Sequence, residues 1–118
     1  MERERFEELV AQAAEALPEE FLNRLDDVVI MVEDTPTPEQ CDGNPDSLLG
    51  LYEGTPLTER SGSFAALLPD RITLFQRNIE SYCGGNRRRI ALVIGETLRH
   101  EIAHHFGIDD ARLDEMGR

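Results

Sequence analysis

The stretch Asn86-Arg87-Arg88-Arg89-Ile90-Ala91-Leu92-Val93-Ile94-Gly95-Glu96-Thr97-Leu98-Arg99-His100-Glu101-Ile102-Ala103-His104-His105-Phe106-Gly107-Ile108-Asp109-Asp110 decides how the rest of the chain is read. Ile90, Val93, Ile94, Thr97, Leu98 and Ile102 recur at spacings of three and four, the period of one face of an α-helix. Asn86 is a residue type that caps the free N–H groups at a helix start, and Arg87, Arg88, Arg89 and Arg99 fall on the solvent side. Gly95 inside the helix costs about 1 kcal/mol relative to Ala, which implies close packing at that point. Gly107, three residues beyond His104, readily supplies the left-handed residue that ends a helix.

Near the end of this helix His100 and His104 are one turn apart. Both imidazoles leave the same face and can hold one cation at about 2 Å from each nitrogen. Glu101 is rotated by about 100° from His100, so it can reach a water at that cation without being a ligand itself. Beyond the turn at Gly107, Asp110 brings back a carboxylate as third ligand, and Asp109 and Asp114 are the carboxylates that replace it if the turn differs. A bare H-E-x-x-H arises by chance in about one per cent of chains this long, and Gly107 with Asp110 lowers that by roughly another several hundredfold. The segment is therefore read as a site. His105 lies about 140° around the helix from His100 and is read as a packed group outside the metal position. Phe106 is read as core.

The preceding sequence supplies a scaffold. Phe6, Leu9, Val10, Ala13, Ala14 and Leu17 give an amphipathic helix over residues 2–17. Pro18 opens a second short helix through Phe21, Leu22 and Leu25. Val28-Val29-Ile30-Met31-Val32 is a continuous apolar, β-branched run and predicts a buried strand. Residues 33–47, rich in Pro, Asp, Gly, Asn and Thr, predict a long surface loop. Residues 48–53 and 71–75 predict two more strands, and residues 78–82 a short helical turn before the Gly84-Gly85 break. Three strands form a small sheet with one face under helices.

Composition bounds the function classes. The chain has 118 residues, about the size of one domain, so residues 1–118 are read as a single domain. Twelve Lys and Arg against 24 Asp and Glu give a net charge of −12, a field that repels a phosphate backbone and excludes broad nucleic-acid binding. No apolar run reaches the roughly 20 residues of a membrane span, and the start has no signal-like apolar region, so the expected compartment is the cytoplasm, away from membranes. There Cys41 and Cys83 are expected as free thiols. Neither has a local histidine to make it a nucleophile.

The set His100, Glu101, His104, His105, Phe106, Gly107 and Asp110 resembles the segment H-E-x-x-H-H-F-G-x-x-D of the minimal zincins, a family of small bacterial zincin metallopeptidases. The resemblance implies an α+β, zincin-like fold. A small three- or four-stranded sheet packs against helices, and the motif lies on a long C-terminal active-site helix. It implies one zinc ion held by His100, His104 and Asp110, with Glu101 as general base; the same donor set also suits iron or cobalt. Larger metzincins add a C-terminal methionine turn that walls the cleft, for which Met116 is the reduced counterpart here.

The function expected is a zinc-dependent metallopeptidase acting on a peptide or protein, with an edge strand aligning the substrate and a protein partner completing the cleft. Residues 48–53 and 71–75 are the candidate edge strands. Tyr52 and Tyr82 are the tyrosines that would steady an oxyanion if either lay at the metal. The alternative is a non-catalytic metal-binding module that acts through a protein partner, its metal contributing to stability.

Overall fold

The computed structural model describes residues 1–25, 28–41, 43–54 and 69–106. In chain order these form α1 (Arg3–Glu15), α2 (Glu19–Leu22), β1 (Val28–Glu33), β2 (Gly50–Glu53), β3 (Asp70–Phe75), α3 (Gln76–Tyr82) and α4 (Arg87–Phe106), with short 3-10 turns at Asn23–Leu25 and Pro45–Ser47. The class is α+β, as the motif-bearing helix and the apolar runs predict.

The helices form where the periodicity places them. Asn86 caps α4 through its side-chain oxygen, which accepts the Arg89 backbone N–H at 3.1 Å. Gly84 and Gly85, at φ of 60° and 75°, take the left-handed conformations that separate α3 from α4. The stripe Ile90, Ile94, Leu98 and Ile102 is fully buried. It meets Phe6, Leu9 and Val10 of α1 and Ile72 and Leu74 of β3 in one apolar cluster, each large side chain contributing about 1.5–3 kcal/mol on burial. The Arg3 guanidinium ties α1 to the sheet, donating to Gln76 Oε1 at 2.8 Å, to the Val32 carbonyl at 3.0 Å and to Asp34. No described helix is long and apolar enough to cross a membrane.

The described sheet has three strands in the order β1-β3-β2. β3 is central, parallel to β1 with Ile30 opposite Ile72, and antiparallel to β2 with Tyr52 opposite Ile72. This corrects the expectation for β1. The run is continuous in sequence, but as an edge strand it alternates, with Val28, Ile30 and Val32 turned toward the core and Val29 exposed by 44% and Met31 by 39%.

A second correction concerns the glycines. A Cβ built on Gly95 would meet, among the described residues, only the Arg99 guanidinium at 3.4 Å, an ordinary contact with the tip of a flexible side chain. The close approach is at Gly50, where a Cβ would stand 2.6 Å from Thr97 Cγ2 and 3.1 Å from Leu74 Cδ2. Thr97 is stiff at χ1 and cannot yield easily. Gly95→Ala is expected to raise stability by about 0.5–1 kcal/mol through helix propensity, whereas Gly50→Ala is expected to lower it by about 1–3 kcal/mol through overpacking. Urea denaturation of the two variants beside wild type measures both signs, and a destabilised Gly95→Ala would restore the close-packing reading.

Candidate metal centre

α4 is twenty residues of helix whose last two turns carry the motif. His100 and His104 leave its exposed face together, their ring centroids 6.4 Å apart and their planes 5° from parallel. Neither imidazole makes a hydrogen bond or ion pair with a described residue, so their nitrogens are uncommitted. Asp110, with its alternatives Asp109 and Asp114, Gly107 and Met116 lie outside the described residues, as does the side chain of Phe106. Among the described residues no group of three or more His, Cys, Asp or Glu is placed to hold a metal ion. Two adjacent, uncommitted imidazoles on one helix face do fit zinc as part of a ligand set.

Glu101 turns off this face toward the sheet, where its Oε1 accepts the backbone N–H of Tyr52 at 3.0 Å. The register explains why that N–H is available. The Phe75 N–H donates to the Leu49 carbonyl at 3.0 Å, so 49 and 75 form a hydrogen-bonded pair. Antiparallel pairs alternate, and Gly50 and Tyr52 therefore direct their N–H and C=O groups away from β3, to the edge of β2 that no described strand covers. The central strand β3 is paired on both sides, which leaves β2, of the two candidate strands, as the one with an edge beside the motif.

His105 lies away from the two other histidines, as the helical rotation predicts. Its ring stacks on Tyr52 with centroids 3.8 Å apart and planes at 15°, and its Nε2 is 4.0 Å from Asp70 Oδ2. The Tyr52 hydroxyl donates to the same Asp70 Oδ2 at 2.9 Å. Tyr52 thus stacks on His105 with its hydroxyl engaged by Asp70, and gives Glu101 its backbone N–H. Asp70 carries no sequence signal beyond standing at the start of a strand.

A groove of about 400 Å³ runs along α4 from this point. Leu48, Leu49 and Gly50 line it on one side and Val93, Glu96, Thr97, His100 and Glu101 on the other, with Tyr82 also in its wall. The buried side chain of Asn78 fixes the near wall, its Nδ2 donating to the carbonyls of Pro45 and Leu48 at 2.7 Å each. Sequence reading had only a helical turn at Asn78, because its partners are some thirty residues away.

A model of the zincin-like metallopeptidase family matches residues 25–118. The chain belongs to that family. The match takes in the whole sheet, α3 and the motif helix, while α1 and α2 precede it. No curated protein matches the chain. Membership agrees with the α+β architecture and brings zinc and peptide hydrolysis as properties of the family.

Cys83 is free, 2% exposed and part of the apolar cluster. Burial pushes its thiol above the ordinary range, with Arg89 opposing and Glu96 reinforcing the shift. A thiol held neutral is a poor nucleophile. A thiol reagent at pH 8 is expected to modify the partly exposed Cys41 in the native protein and Cys83 only after unfolding, with fast labelling of both overturning this. The folded state holds the Cys83 proton more tightly than the unfolded chain, so this group lowers stability as pH rises above about 8.5. Asn78→Ala leaves two carbonyls unpaired and is expected to cost about 1–3 kcal/mol in urea denaturation; an unchanged midpoint would remove Asn78 as the clamp of the groove wall.

Proposed function

We propose that the chain is a zinc-dependent metallopeptidase that hydrolyses a peptide bond with Glu101 as general base. His100 and His104 would hold the ion, with Asp110 as the third ligand. Zinc, when bound, supplies a Lewis acid that polarises the scissile carbonyl and lowers the pKa of water toward about 7.

The rest is done by the chain's own groups. Glu101 takes the proton of the attacking water and passes it to the leaving amine. The Tyr52 N–H holds Oε1, which orients the carboxylate and leaves Oε2 to exchange the proton. An extended substrate aligns along the open edge of β2 through backbone hydrogen bonds, beginning at Gly50, whose N–H and C=O point outward. The stacked His105 and the Asp70 acceptor fix Tyr52, and so the N–H that holds Glu101. The observation that carries this reading is the carboxylate of Glu101 bridged to a strand edge beside two uncommitted imidazoles, in a member of this family.

The test is cleavage of a diverse peptide library by the zinc-loaded protein beside Glu101→Gln, with metal content measured in both. Cuts are expected in the wild type, with a loss of at least about a hundredfold in Glu101→Gln at equal zinc. Equal cutting by both would remove Glu101 from the reaction. No cutting by either, with zinc bound in both, would favour a non-catalytic metal module that works through a protein partner.

A further inference from the structure

We propose that the groove along α4 is a subsite for a lysine or arginine side chain of the substrate, adjacent to the bond cut, and that Glu96 selects it. The proposal rests on the peptidase reading for its substrate and on the groove for its specificity.

A cavity of about 400 Å³ is near the small end of ligand pockets and takes one long side chain more readily than a folded segment. Its chemistry is divided along its length. Leu48, Leu49 and Val93 offer an apolar wall that suits the methylene stem of Lys or Arg. Glu96 stands one helical turn before His100, on the same face of α4, so its carboxylate meets a side chain projecting from a peptide bond at the metal position.

Glu96 is exposed and has no hydrogen bond or ion pair with any described residue. The other acid in the wall, Glu101, is already engaged by the Tyr52 N–H, so Glu96 is the carboxylate left to receive a cation. Among the described residues no Lys or Arg lines the groove; Arg89 of the same helix is held over the Tyr82 ring, 5.8 Å from its centroid. Tyr82, 59% exposed, shows by that contact that its ring accepts a guanidinium. An acidic substrate side chain would meet two carboxylates and the surrounding net charge of −12.

The experiment uses one peptide framework in which Lys, norleucine or Glu is placed in turn at each position, with full-length zinc-loaded protein. Binding is measured by fluorescence anisotropy on Glu101→Gln, and cleavage on the chain with Glu101 intact, each in three versions: Glu96 native, Glu96→Gln and Glu96→Lys. At one position Lys is expected to bind about fivefold more tightly than norleucine when Glu96 is present. Glu96→Gln is expected to erase that difference, and Glu96→Lys to turn the preference toward Glu. Circular dichroism of each variant confirms that it is folded. A charge preference in binding without any cleavage would keep the subsite and sink the peptidase reading. Cleavage with no preference for Lys, or a preference that survives Glu96→Gln, would overturn the subsite and leave the peptidase reading standing.

Discussion

The architecture depends on how closely β2 approaches α4. At Gly50 the strand backbone rests against the Thr97 methyl with no side chain between them. That contact brings the edge of β2 turned from β3 within reach of Glu101, four residues beyond Thr97 on the same helix row. A larger residue at position 50 would lift the strand, and the 3.0 Å bond from the Tyr52 N–H to Glu101 would lengthen with it. The apolar cluster sets the depth of α4, but this single bare position sets the distance between Glu101 and the strand.

A second set of contacts holds the strand from its far side. Tyr52 is anchored at its hydroxyl by Asp70 and across its ring by His105, and it stands opposite Ile72 as a non-hydrogen-bonded pair. The same residue therefore joins sheet to helix by its ring and holds the Glu101 carboxylate by its N–H. The wall before Gly50 is held independently by Asn78, which reaches two carbonyls of the loop from the buried side of α3. Rigid backbone on both sides of Gly50 is what a groove needs if it is to sort side chains by shape and charge.

What was legible in the sequence was what repeats or recurs at fixed spacing. The stripe from Ile90 to Ile102, the Asn86 cap and the placement of His105 off the His100–His104 face all follow from helical geometry, and all are present. β1 was found but its environment was misread, because a run of five apolar residues looks the same in a central strand and at an edge. Gly95 attracted attention as a helix glycine, while Gly50, inside an ordinary strand run, was the one under steric constraint. Asp70 and Asn78 acquire their roles from partners distant in sequence, and Tyr52 acts through a main-chain N–H that nearly any residue possesses. Such roles leave no trace in residue type or spacing.

The strand order also governs how the molecule comes together. β3, the central strand, follows both of its neighbours in the chain, so among the described strands β1 and β2 have no partner until residues 70–75 have been made. During synthesis from the N-terminus both strands wait for β3, and α4, which carries the histidines, emerges later still. A fragment that stops before α4 cannot bring Glu101 to Tyr52. Glu101 meets Tyr52 only after both the three-stranded sheet and α4 have been made, which ties this contact to assembly of the fold around it.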